Sequence, residues 1–151
     1  MRYCSISHFE GDQVVTKDIL NEVADAINQV AIKVSKGAAS KIRDDLLRYL
    51  VTKGWSSNVT ISRESGITIT SLKDKVGLCL QTGNIARMYA DLIKLQKLYI
   101  DKIINSAVMI VPTYSSSKIL GSNITNAVRL EKELTIFKKV IFVPIIIFAI
   151  E

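Results

Sequence analysis

The run VIFVPIIIFAI at residues 140–150 constrains the fold more than any other stretch of the chain. It is almost wholly apolar and rich in β-branched residues, so it needs cover on both sides. It is about half the length required to cross a bilayer, and Pro144 interrupts it. A buried central strand accounts for it. Strands buried on both faces read as continuous apolar runs and belong to sheets with helices packed on each side. A second run, residues 107–111, stops at Pro112 and reads the same way.

The rest of the chain supplies the covering layers. Apolar positions Ile19, Val23, Ile27, Val30, Ala31 and Val34 recur at helical spacing, with Thr16 and Asp18 available as caps. Gly37 breaks that helix. A second helix starts at Ser40, turns Ile42, Leu46, Leu47, Leu50 and Val51 inward, and ends at Gly54. Residues 2–7, 58–62, 67–70 and 76–81 read as strands, with turns at Gly66 and at residues 73–75. Residues 85–100 form a third helix and residues 123–137 a fourth; the final strand is expected at residues 140–148. The element order predicts a single α/β domain over residues 1–151, a mixed β-sheet flanked by helices on both faces.

Lys plus Arg outnumber Asp plus Glu by 20 to 14, giving a formal charge of +6 and an isoelectric point near 9.4. Such a surface favours polyanions. The N-terminus lacks a long apolar signal segment, so a cytoplasmic protein without membrane contact is expected. Cys4 and Cys79 have no CxxC or CxxC…HxxxH partners, which argues against structural zinc. Both thiols are expected to be buried and free. Trp55 reads as a core anchor, and Arg129 with Glu133 as an i, i+4 surface ion pair.

No phosphate-binding glycine loop of the GxxxxGK[ST] or GxGxxG type occurs. Chemistry must come from elsewhere, and ITITSLKDKVGLCLQTGN at residues 67–84 is the informative segment. Alternation places Lys75, Gly77, Cys79 and Gln81 on one face of the later strand. Thr70, ending the strand before it, can approach the same area. Two-carboxylate Mg²⁺ chemistry needs hard anionic oxygens from such a strand pair. These positions offer a hydroxyl, a thiol and an amide, and a soft thiol is a poor Mg²⁺ ligand. Arg87, Lys94 and Lys97 lie along the exposed side of the third helix. Lys36, Lys41, Arg43 and Arg48 form a second basic group.

The stretch KDKVGLCLQTGNIARMYADLIKLQKLYIDKIINSAVMIVPT, residues 73–113, resembles the catalytic core of type II restriction endonucleases of the BamHI/BglII/BstYI kind, in the PD-(D/E)xK superfamily. ISHFEGD at residues 6–12, the Lys53-Gly54-Trp55 step and the C-terminal strand fit the same pattern in the same order. The resemblance implies a homodimer on double-stranded palindromic DNA and Mg²⁺-dependent phosphodiester hydrolysis. It sets Thr70 and Cys79 at the two metal-carboxylate positions and Gln81 at the third motif position. Lys73, Lys75, Asn84 and Arg87 become candidate DNA contacts. Both metal acids are then missing, so no cofactor is expected, with Mg²⁺ required only if activity survives through a displaced acid, Glu64 or Asp74.

Three readings follow from the resemblance. The first is a DNA-binding nuclease homologue with a degenerate metal site and little or no cleavage. The second is an active Mg²⁺-dependent endodeoxyribonuclease of a restriction–modification system. The third is a protein-binding remnant that forms homo- or mixed dimers.

Overall fold

A computed structural model describes all residues from Met1 to Glu151. The strands are β1 (Tyr3–His8), β2 (Val59–Ser62), β3 (Ile67–Ile69), β4 (Ser71–Lys73), β5 (Val76–Leu80), β6 (Ser106–Pro112) and β7 (Ile145–Ile150). The helices are α1 (Gly11–Val14), α2 (Lys17–Gln29), α3 (Ala39–Thr52), α4 (Ala86–Ile100), α5 (Tyr114–Leu120) and α6 (Ala127–Ile136). Five strands form one sheet in the order β1-β7-β6-β5-β4; β2 and β3 form a separate two-stranded ribbon. The central pairs β5–β6 and β6–β7 are parallel, and the outer pairs β1–β7 and β4–β5 are antiparallel. The expected mixed sheet is therefore present, and the two most apolar strands occupy its interior.

Alternation along the inner strands divides the core in two. Val76, Leu78, Leu80, Val108, Ile110, Ile146 and Phe148 pack with residues of α2 and α3. Cys79, Ala107, Met109, Val111, Ile145 and Ile147 face α4 and α6 on the other side. Each fully buried aliphatic side chain contributes about 1.5–3 kcal/mol relative to exposure, so both helical layers are needed to hold the sheet. No helix is long and apolar enough to cross a membrane.

Several boundaries differ from the sequence reading. Helix α2 stops at Gln29, because Val30 is extended and the β-branched run after it does not continue the helix. Thr16 does stand at the N-cap, but its side chain makes no capping bond there. The helix expected over residues 123–137 starts only at Ala127, since Asn126 caps it by accepting from the Arg129 N–H at 3.0 Å. Residues 140–143 form a connection instead of strand: the Gln96 side-chain oxygen accepts from the Phe142 and Val143 N–H groups at 2.8 and 2.9 Å. Strand β7 begins after Pro144. The short helices α1 and α5 carried no periodic signal long enough to see.

Two local devices set the hairpins. Asp74 and Lys75 both adopt positive φ, 47° and 62°, giving the two-residue turn between paired Lys73 and Val76 its mirror-image twist. Thr70 is a bend between β3 and β4, so the expected strand over residues 67–70 ends one residue early. There the chain leaves the ribbon and joins the large sheet. Gly11 passes so close to β7 that a Cβ would lie 2.2 Å from the Ile145 carbonyl carbon.

Candidate functional site

Strand β5 and the bend before β4 place Thr70 and Leu80 side by side. The Thr70 hydroxyl oxygen accepts the Leu80 N–H at 3.1 Å, in a buried position. Just beyond, Gln81 leaves the strand at its carboxyl end, the place where sheets of this class gather ligands. The Gln81 amide nitrogen donates to Asp91 Oδ2 at 3.0 Å, and its oxygen accepts the Gly83 N–H at 3.0 Å. Asp91 Oδ1 accepts from Lys94 at 3.0 Å. One side chain thus fixes the β5–α4 connection and a buried carboxylate together.

These groups line a cavity of about 550 Å³. Asn58, Thr68, Ile69 and Thr70 form one wall, and Arg87, Asp91 and Lys94 of α4 another. Arg43 reaches in from α3, where its guanidinium donates to the Leu80 carbonyl at 2.8 Å. The lining holds three cations and a single carboxylate, so the cleft is electropositive.

Cys79 lies behind this surface, 1% exposed, packed among the α4-side core residues. Complete burial pushes its thiol well above the usual range, and the Asp91 carboxylate pushes further in the same direction. The Thr70 backbone hydrogen-bonds to it, a smaller opposing influence. It is a protonated, apolar group at neutral pH. Cys4, expected to be buried, is exposed instead, because β1 is an edge strand. The two cysteines are unpaired.

Of the residues singled out from sequence, the fold brings Thr70, Gln81, Arg43, Arg87 and Lys94 to one cleft, with Cys79 directly behind. Lys73 and Lys75 sit at the turn, the opposite end of the β4–β5 hairpin. The Lys73 ammonium is engaged there by Glu22 and the Lys53 carbonyl, both at 2.6 Å. The Trp55 indole N–H donates to the other Glu22 oxygen at 2.9 Å, so these four residues tie the hairpin to α2 and to the segment that follows α3. Asp74 shares that remote turn, and Glu64 lies in the exposed β2–β3 turn; neither lines the cleft. Asn84 is exposed beside it and accepts the Ala86 N–H at 2.8 Å as α4 begins. Lys97 pairs with Asp101 farther along α4. Arg129 and Glu133 form the expected ion pair at 2.6 Å.

Sequence reasoning missed Asp91, and it named Arg43 only as one of a basic group. A signal for Asp91 existed: it falls at the spacing of the buried stripe Met88, Leu92, Leu95, where a carboxylate needs partners. Arg43 carried no signal beyond its charge.

The donor set does not suit Mg²⁺. The Thr70 hydroxyl oxygen is committed to the Leu80 N–H. The Cys79 sulfur is soft and inaccessible. Asp91 is a lone carboxylate with both oxygens occupied. No group of three or more His, Cys, Asp or Glu side chains converges anywhere in the chain. What the cleft does offer is a set of fixed N–H donors and positive charge, the chemistry of phosphate binding.

A family model described as restriction endonuclease BglII/BglIII matches residues 3–150. No curated protein sequence matches at a significant level. The crystal structure of restriction endonuclease BglII complexed with a DNA 16-mer superposes with a TM-score of 0.86 at 14% identity, covering 100% of this chain and 77% of that one. The crystal structure of free BglII superposes with a TM-score of 0.72 at 17% identity, covering 100% of this chain and 80% of that one.

Proposed function

The chain belongs to the BglII/BglIII restriction endonuclease family, and from that premise we propose that it binds double-stranded DNA as a homodimer and cleaves it weakly or not at all. In this reading residues 1–151 act as one domain. Thr70 and Cys79 stand at the family's two metal-carboxylate positions and Gln81 at the third. Natural replacement of both acids leaves the frame and removes the hard ligands.

The observation that carries the reading is the composition of the cleft. Its cations remain, while its one carboxylate is paired with Lys94 and hydrogen-bonded by Gln81. A site without two hard anionic oxygens loses the ligands on which Mg²⁺ binding depends. Support for active chemistry through a displaced acid is weaker: neither Glu64 nor Asp74 borders the cleft. Support for DNA comes from the family, the net charge and the structural likeness to BglII, which was crystallised with DNA.

Association with a second chain is supported by a different surface. Ile93 and Ile100 on α4 and Val140 beyond α6 are all more than half exposed and border one surface depression. Large apolar side chains gathered on one face mark interaction sites.

The test has two arms. Plasmid DNA incubated with Mg²⁺ or Mn²⁺ should stay uncut; saturable, metal-dependent cleavage would restore the active-enzyme reading. Duplex affinity measured against salt should fall steeply with ionic strength. No affinity at low salt would leave the protein-binding reading.

A further inference from the structure

We infer that the cleft seats a DNA phosphodiester through side-chain cations alone, with no metal ion as intermediary. The inference rests on the DNA-binding reading and specifies how its central contact is made.

The charges in the cleft are unequal in availability. Asp91 has both oxygens occupied, one by Lys94 and one by Gln81, so it does not act as a free negative charge facing an incoming anion. Arg43 spends one donor on the Leu80 carbonyl and has no carboxylate partner. That single bond orients the guanidinium and leaves its other N–H groups for a ligand, since the fork carries five donors. Arg87 is exposed, lines the same cavity and makes no salt bridge. Lys94 uses one of three donors on Asp91. Three cations against one compensated carboxylate leave the site two charges positive, enough for a singly charged phosphodiester.

Geometry favours a chain phosphate over a free one. The cavity of about 550 Å³ is larger than a phosphate ion needs. It shares Thr70 and Asn58 with a second cavity of about 630 Å³ that runs past Ser56 and Ser71. Two adjoining cavities of this kind leave room for a polymer backbone beside the bound group, where a free ion would need only one. Arg43 and Arg87 stand on different helices, α3 and α4, so the two guanidiniums approach from separate elements whose spacing the sheet fixes.

The experiment is duplex binding followed by fluorescence anisotropy, with EDTA present and, for the wild type, in a parallel series without it. Wild-type protein, Arg87→Ala and Lys97→Ala are compared across a salt series. Lys97 serves as the control because it is a cation of the same helix, paired with Asp101 and outside the cleft. Arg87 is exposed and without an ion-pair partner, so its removal leaves the fold intact, and thermal melting of each variant verifies this. Expected are chelator-insensitive binding by the wild type, a loss of about 5–20-fold for Arg87→Ala with the salt slope lower by about one, and less than a twofold change for Lys97→Ala. Equal losses for both variants, or none for Arg87→Ala, overturn the seat while leaving DNA binding standing. Binding abolished by EDTA overturns it too. Absence of wild-type binding without EDTA sinks the DNA reading itself. A last arm adds inorganic phosphate alone: stabilisation by phosphate that Arg87→Ala removes, without duplex binding, would reassign the cleft to the free ion.

Discussion

The side-chain amide of Gln81 donates to the carboxylate of Asp91 at 3.0 Å, across ten residues of chain and from strand end to helix. The same amide group holds the Gly83 N–H through its oxygen. Gln81→Ala strands both groups. Leaving buried polar groups unpaired costs about 1–3 kcal/mol, and urea unfolding should show a loss in that range. Asp91→Asn keeps an acceptor for Gln81 but frees the Lys94 ammonium. A smaller loss is expected, about 1–2 kcal/mol, because Lys94 can reach water. Duplex affinity should rise several-fold in Asp91→Asn, since the cleft becomes more positive.

Restoring the acids gives a direct test of their placement. Thr70→Asp retains an oxygen for the Leu80 N–H. Cys79→Glu alone inserts a carboxylate into the α4-side core and should destabilise by about 3 kcal/mol or more. In the double variant, Mg²⁺ or Mn²⁺ should raise the melting temperature, with about 2.7 kcal/mol gained at a hundredfold excess over Kd. A folded double variant indifferent to both ions would show that Thr70 and Cys79 do not stand at metal positions.

Gly11 is fixed by its neighbour. The Cβ of Gly11→Ala would lie 2.2 Å from one backbone atom of Ile145 and 2.3 Å from another. Backbone in a central strand cannot yield as a side-chain tip can. The variant should lose about 3 kcal/mol or more, read as a large fall in the unfolding midpoint, or fail to accumulate as folded protein.

His8 makes stability depend on pH. Its Nε2 lies 2.9 Å from the Ile141 carbonyl, a contact suited to the neutral ring donating its proton. Burial lowers its pKa below the usual 6.5, and the hydrogen bond opposes this only in part. The unfolded chain therefore takes up the proton first as pH falls. The contribution is complete above about pH 6.5 and is lost as pH drops through the lowered folded value. Unfolding midpoints between pH 8 and 5 should decline in the wild type and decline less in His8→Gln.

The two thiols should differ sharply in reactivity. Cys4 is exposed, whereas Cys79 is buried and held protonated. A thiol-specific reagent should modify one cysteine in the native protein and the second only on unfolding. Rapid native modification of two thiols would contradict the buried placement of Cys79.

Much of the fold was legible because burial leaves a pattern. The runs that became β6 and β7 are apolar throughout, as covering on both faces requires. Helices α3 and α4 repeat their apolar residues at helical spacing. Misreadings arose where a pattern had two meanings. Val30, Ala31 and Val34 keep the helical spacing, but β-branched residues favour extended chain and the helix ends before them. The strand-like start at residue 140 ignored that Phe142 and Val143 donate to a side chain, not to a strand.

The site was legible by halves. Thr70, Cys79 and Gln81 could be grouped because a hairpin fixes the distance between its own residues. Lys73 looked like a ligand contact by charge, yet Glu22 lies 51 residues upstream, and nothing local announces that pairing. Arg43 and Asp91 enter through helix packing, which one-dimensional spacing does not encode.

The bend at Thr70 has a mechanical consequence. Asn58 and Thr68 belong to the ribbon side of the cleft, while Arg87 and Lys94 ride on α4 against the large sheet. Where the chain passes from the ribbon to the large sheet, the Thr70 hydroxyl latches onto Leu80, while Ile69 beside it packs in the α4-side core. The width of the opening over the cations is therefore set jointly by that hydroxyl latch and by the seating of Ile69, and loosening either would change how a ligand is gripped from the ribbon side.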